Sequence, residues 1–299
     1  MKRVTGQTRA LILAGLVVLF WSTVATAFKI ALEEMHFTML LLISSVTALV
    51  VSFADLLIRG KVSSIITIFT EPKALGKSAF MGLLNPFLYY MVLFKAYSLL
   101  PAQIAQPLNY SWQVVLIIMI SIFLKQKMRW YQVLGVIISF AGILMLSGNN
   151  AASPEGKLSL TGIILALGSA FIWATYWLSK IDTKYDPSAG LFANFLFGSI
   201  YLVALLMFTQ PELPSLKGLF AGMYVGVFEM GLTFILWGKA LNIATNRVTV
   251  TQLTYLSPVL SLFLIHFILG ESIGVATIIG LFLIIGGILF SSIKFAKQD

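Results

Sequence analysis

Ten runs of about 20 predominantly apolar residues divide the chain almost without remainder: 9–32, 37–58, 78–98, 103–124, 130–148, 159–180, 188–209, 217–239, 248–269 and 273–293. A run of that length crosses the roughly 30 Å hydrocarbon layer of a bilayer as a helix. Lipid offers no partner to a backbone N–H or C=O, so each crossing segment must satisfy its hydrogen bonds internally. The sequence therefore predicts an all-α integral membrane protein of ten transmembrane helices. Only 10% of the 299 residues are charged, against about 25% in soluble domains. No polar stretch reaches the roughly 50 residues of a separate soluble domain. The longest connection, 59–77, carries "IITIF", which is expected to lie along the membrane interface. The first run has a basic start and the small residues Ala25-Thr26-Ala27. It is longer than the 7–15-residue apolar core of a cleaved signal, so it is expected to remain as a span. Cysteine is absent, which removes disulfide and thiolate chemistry.

The net charge of +9 raises the question of nucleic acid. Its distribution argues against that partner and for membrane orientation. Counting ten spans, 16 Lys and Arg fall at the two termini and on the loops of the same side, and four (Lys29, Lys95, Lys157 and Lys217) fall on the other. Positive charge is retained in the cytoplasm, so both termini are expected inside a cytoplasmic (inner) membrane.

The two halves repeat. "NYSWQVVLIIMISIFLKQKMRWYQVLGVIISFAGIL" (109–144) aligns without gaps on "TYLSPVLSLFLIHFILGESIGVATIIGLFLIIGGIL" (254–289), placing Tyr110 on Tyr255, Gly135 on Gly280 and Gly142 on Gly287. Phe94-Lys95-Ala96 matches Gly238-Lys239-Ala240, and Trp21 precedes Thr23 as Trp173 precedes Thr175. The expected units are 1–150 and 151–299, with five spans each. An odd number of spans makes the second unit enter from the opposite side. Inverted repeats of this kind are a layout of secondary transporters, whose substrate site lies near the midplane between the repeats.

Catalytic signatures are missing. His36 and His266 are far apart, no H-E-x-x-H or G-x-S-x-G occurs, and Gly76-Lys77-Ser78 has Glu71 where a phosphate loop requires glycine. The reading is that of a non-enzyme without cofactor or metal, whose partners are a small-molecule substrate and the lipid bilayer. Polar and aromatic residues inside the spans follow helical spacing. Span 1 carries Trp21, Ser22, Thr26 and Lys29; span 3, Asn85, Tyr89 and Tyr90; span 4, Gln106, Asn109, Trp112 and Gln113. In the second half, span 6 carries Trp173, Tyr176, Trp177 and Lys180; span 8, Glu229, Thr233 and Trp237; span 9, Thr251, Tyr255 and Pro258. Trp130, Tyr131, Tyr185 and Trp237 suit the aromatic belt at headgroup level. Trp21, Trp112 and Trp173 sit nearer span centres and are expected to line a cavity, with Asn109 offering hydrogen bonds. Several rings and a few amides suit a small ligand with a flat ring or apolar body.

Lys29 and Lys95 lie near helix ends, where they either snorkel to the interface or bind a substrate carboxylate. Pro107 and Pro258 are hinges or tolerated kinks. Gly218, Gly222 and Gly226 form a small-residue stripe for close helix packing. Glu229 stands at the middle of span 8, where a charge costs roughly 2.5–3.5 kcal/mol on insertion scales. It is expected either to bind and couple a proton or to be hydrogen-bonded to a neighbouring helix.

"YLSPVLSLFLIHFILGESIGVATIIGLFLIIGGILF", with Pro258, Gly270-Glu271, Gly280 and Gly286-Gly287, and "FWSTVATAFKIAL" (20–32) resemble the drug/metabolite transporter superfamily in its ten-span EamA-type branch. The resemblance covers nearly the whole chain. "LNYSW" and "WATYWLSK" further resemble the YddG-type aromatic amino acid exporters, with Ser111 and Gln113 standing where that group has Leu and Pro, and Gln126 where the second repeat has Glu271. That likeness implies a central cavity lined by Trp21, Tyr89, Tyr110, Trp112 and Trp173, and export of aromatic or hydrophobic amino acids by alternating access. The alternatives are transport of another small metabolite and, outside transport, a membrane receptor or scaffold.

Overall fold

The computed structural model describes residues 6–123, 125, 128–149, 157–179, 185–209, 211–245, 250 and 252–292. Thr251, Lys180 and Gln126 lie outside the described residues, as do both extreme termini. The described chain is helical, with no strand. Its helices are α1 (Gly6–Glu34), α2 (Phe37–Ile58), the short α3 (Ser63–Thr70), α4 (Pro72–Gly82), α5 (Tyr89–Leu99), α6 (Ala102–Tyr110), α7 (Trp112–Phe123) and α8 (Trp130–Ser147). The second half adds α9 (Leu160–Ser179), α10 (Pro187–Thr209), α11 (Leu216–Val225), α12 (Leu232–Ile243), α13 (Leu256–Leu269) and α14 (Val275–Ser292). Joined across their breaks, α4–α5, α6–α7 and α11–α12 each make one long helix. Eight helices of the described residues are then long and apolar enough to cross a membrane. Helices α13 and α14 stand where the ninth and tenth spans were expected, and α13 has only 14 described residues.

The seam between α8 and α14 carries the repeat most visibly. A Cβ on Gly142 would stand 2.6 Å from the carbonyl oxygen of Gly280, and one on Gly135 would collide with the carbonyl of Gly287. Gly135 corresponds to Gly280 and Gly142 to Gly287, so exchanging the two halves maps one contact onto the other, as at a two-fold interface. Small residues let the two backbones approach, and Ser139 Oγ donates to the Ile284 carbonyl at 3.0 Å. The glycine stripe of α11 packs similarly on α2, where Ser44 Oγ donates to the Gly222 carbonyl at 3.0 Å.

The helices nearest the centre are interrupted. Between α4 and α5 the chain passes through Leu83–Leu88, where Asn85 leaves helical geometry (φ −147°, ψ 116°) ahead of Pro86. Between α11 and α12 it widens over Gly226–Gly231, where the Thr233 hydroxyl donates to the Phe228 carbonyl. The register that puts Phe94-Lys95-Ala96 on Gly238-Lys239-Ala240 puts Asn85 on Glu229, so the two breaks are equivalent. A second pair of interruptions follows, a turn at Ser111 between α6 and α7 and another at Thr254–Tyr255 before α13. Such breaks are tolerated at membrane depth where the freed backbone is buried in protein or lines a cavity.

Candidate functional site

A cavity of about 260 Å³ lies among α1, α5, the α6–α7 junction, α9 and α12. Helix α1 contributes Trp21 and Phe28, α5 contributes Tyr89 and Tyr97, and α6–α7 contribute Gln106, Asn109, Tyr110, Trp112 and Gln113. The second half closes it with Trp173, Trp177, Glu229, Phe234, Trp237 and Thr254. Its wall is a stack of rings. Trp173 lies parallel to Tyr89 at 4.4 Å between centroids and to Tyr176 at 5.3 Å. Trp112 stacks on Trp177 at 6.3 Å and meets Trp173 edge-on at 6.4 Å. Edge-on and parallel pairs of this kind hold one another in place beyond the area they bury.

Polar groups divide into those already committed and those still open. Asn109 is committed: its Oδ1 accepts from the Tyr89 hydroxyl at 3.2 Å and its Nδ2 donates to Ser169 Oγ at 2.8 Å. Gln106 and Gln113 flank it on the same helical face, 5% and 8% exposed, and neither Oε1 has a hydrogen-bond partner. Glu229 reaches the cavity from the α11–α12 break, its Oε1 accepting from the Tyr90 hydroxyl at 3.0 Å. It is the one acidic or basic residue in the lining, and no Lys or Arg pairs with it among the described residues.

A second space of about 300 Å³ adjoins the first and shares Trp173, Trp177, Phe234, Trp237 and Leu241 with it. It runs to Arg59, Ser188 and Lys239. There Arg59 makes two hydrogen bonds to Asp186, both 3.0 Å, and one to Asp55 at 2.7 Å, while Lys239 donates to Asp55 at 2.9 Å. This cluster ties the end of α2 to the start of α10 and to α12. Burial raises the Asp186 carboxyl, but hydrogen bonds from Arg59 and the Ser188 backbone outweigh it and hold the group at about 2.

Seven of the expected site residues, Trp21, Tyr89, Asn109, Tyr110, Trp112, Trp173 and Glu229, line the first cavity, and Tyr176 lines the second. Tyr90 lies behind the lining, fully buried against Glu229. Lys29 is outside both spaces, its ammonium donating to the carbonyls of Tyr97 at 3.1 Å and Leu100 at 3.2 Å, so it caps the end of α5. Trp237 departs from the belt expectation: its ring is buried, 5.9 Å from Trp21, on the wall common to both spaces. Its spacing of eight residues from Glu229 had already placed it on the face that carries that acid. Gln106 and Gln113 were visible through their seven-residue spacing around Asn109. Glu271, noted in the sequence as half of the Gly270-Glu271 pair, has a structural role: its two oxygens accept from the Ala102 and Gln103 N–H groups at 2.8 and 3.0 Å, capping α6. Gly270, at φ 70°, makes the left-handed turn that ends α13 and delivers that carboxylate.

The sequence matches the EamA-like transporter family twice, over residues 8–148 and 160–293. It is similar to the uncharacterized transporter YvbV of Bacillus subtilis (strain 168), 25% identical over 73% of this chain and 72% of that one. It is also similar to the aromatic amino acid exporter YddG of Escherichia coli (strain K12), 26% identical over 60% of this chain and 64% of that protein. For the YddG of Salmonella typhimurium (strain 14028s / SGSC 2262) the figures are 26%, 54% and 57%. Among solved structures, a crystal structure covering 95% of the chain superposes with a TM-score of 0.67 at 21% identity, a likeness of fold.

Proposed function

The chain belongs to the EamA-like transporter family, and from that premise we propose that it exports small metabolites with a flat aromatic body, aromatic amino acids first among them, across the cytoplasmic membrane. The observation that carries the reading is the stacked wall of Tyr89, Trp173 and Tyr176 beside a cavity closed by residues of both halves. A further ring can join such a wall at its open edge, and amides at the same depth supply orientation. The equivalent breaks in α4–α5 and α11–α12 supply bending points for alternating access, with 1–150 and 151–299 as the two moving units. Both termini lie on the cytoplasmic side in this reading, as the charge bias requires. The similarity to two aromatic amino acid exporters supports the substrate class, across parts of those proteins.

The test is flux in liposomes holding the purified protein, with radiolabelled tryptophan, phenylalanine and alanine compared. Saturable flux of the two aromatic amino acids, above that of alanine, is the expected result. Absence of saturable flux for every aromatic compound would overturn the aromatic reading and leave transport of another small metabolite or a receptor or scaffold role.

A further inference from the structure

The cavity is rich in rings and poor in acidic and basic residues, and the one it holds is an acid. Of its 20 lining residues, ten are aromatic, one is an acid, and none is Lys, Arg or His. The nearest basic residues of note are engaged elsewhere: Lys29 on the carbonyls of Tyr97 and Leu100, Lys239 on Asp55. A carboxylate entering this space meets no cation to pair with and faces the Glu229 carboxyl. A cationic nitrogen meets the opposite situation. Ring systems attract cations through their quadrupoles, most strongly when water is excluded, and a carboxylate at low dielectric attracts them more strongly than it would in water. The amides of Gln106 and Gln113, both without a partner for Oε1, accept as well as donate, so they serve an ammonium without excluding other groups. Charge, not hydrogen-bonding capacity, is what separates ligands here.

We infer that the site reads the positively charged nitrogen of its substrate through Glu229 and the surrounding rings, and that a substrate carboxylate is dispensable. Aromatic amines and aromatic quaternary ammonium ions then belong to the substrate class alongside the amino acids. The inference rests on the reading of this cavity as the transport site.

Three ligands with one ring system isolate the question: tryptamine (amine only), tryptophan (amine and carboxylate) and indole-3-propionate (carboxylate only). Their binding to the purified, detergent-solubilised full chain is measured by scintillation proximity. Flux in liposomes is followed with the N,N,N-trimethyl derivative of tryptamine, whose fixed charge prevents leakage through lipid. Tryptamine is expected to bind at least tenfold more tightly than tryptophan, and indole-3-propionate is expected to compete with neither at 100-fold excess. In Glu229→Gln the affinity for tryptamine should fall at least tenfold relative to wild type, and Glu229→Asp should restore part of it. If Glu229→Gln does not fold, the wild-type ranking decides alone. Tryptophan and indole-3-propionate bound with tryptamine refused would overturn this inference and leave aromatic transport standing. An unchanged affinity for tryptamine in a folded Glu229→Gln would overturn the role of Glu229. Binding of none of the three would overturn both readings.

Discussion

The breaks in α4–α5 and α11–α12 occupy equivalent places in the two halves, and each has a polar residue at its centre. Asn85 is completely buried, and neither of its amide atoms finds a hydrogen-bond partner among the described residues. Glu229 stands at the cavity wall, with Tyr90 as its donor. The first break is packed tightly against α10: a Cβ on Gly198 would stand 2.5 Å from the Pro86 ring. The second break is packed as closely on α2, where a Cβ on Gly226 would stand 2.5 Å from Thr47, but its Glu229 side chain reaches the cavity. Equivalent backbone geometry therefore carries two tasks. One break bends a helix inside protein, and the other also delivers a carboxyl to the site. The first half contributes to the site just beyond its own break, through Tyr89, the first residue of α5.

If that division is right, Glu229→Gln should have the largest effect on transport. It keeps the size and a hydrogen-bond acceptor for Tyr90 while removing the charge. Flux in liposomes should fall at least tenfold with the protein still in the membrane. Running the same assay under an imposed pH gradient tests the coupling role. PH-responsive transport at the wild-type rate would make Glu229 structural and erase the contrast with Asn85.

Trp173→Ala comes next. It removes the ring that Tyr89 and Tyr176 both stack upon, and each aromatic pair contributes about 0.5–1.5 kcal/mol beyond buried area. The half-saturation concentration for an aromatic substrate should rise roughly tenfold. An unchanged value would place the ring in packing alone.

Tyr90→Phe probes the link between the halves, since its hydroxyl crosses from the first break to the second. The net worth of a hydrogen bond is about 0.5–1.5 kcal/mol. A loss of flux of about fivefold is expected, smaller than for Glu229→Gln. A loss equal to that of Glu229→Gln would mean that the carboxyl acts only through Tyr90.

Much of this was legible in the sequence, for reasons of scale. Apolar runs of membrane length, their charged ends and a gapless internal repeat are written over tens of residues, so no single side chain decides them. The rings of Trp21, Trp112 and Trp173 were legible because aromatic residues at mid-span fit the interface poorly. Local backbone breaks were less so. Pro86 marks the first, but Gly226–Gly231 contains no proline. The capping of α6 by Glu271 joins residues some 170 positions apart, a pairing that only the folded chain brings together. Lys29 shows the converse. Its position at a helix end allowed a substrate contact, and the neighbouring carbonyls of α5 took the ammonium instead.

The smallest expected effect on transport belongs to Asn85→Leu, and it separates the two breaks most cleanly. Leucine shares the γ-branched outline of asparagine, is the larger side chain, and carries no polar group to leave unpaired. Extended geometry before a proline suits it as well as it suits asparagine. A buried polar side chain without a partner costs about 1–3 kcal/mol, so its removal should raise the thermal unfolding midpoint in detergent while flux stays within about twofold of wild type. That result would mean the first break works through its backbone alone. Alternating access in an inverted repeat, however, exchanges the environments of the two halves. Should Asn85 move to a cavity wall in the opposite state, as Glu229 does in this one, Asn85→Leu would stay folded and stable yet lose flux. Measuring the midpoint and the flux on the same preparation distinguishes these outcomes. Loss of flux with a raised midpoint would show that both breaks carry chemistry, one in each state.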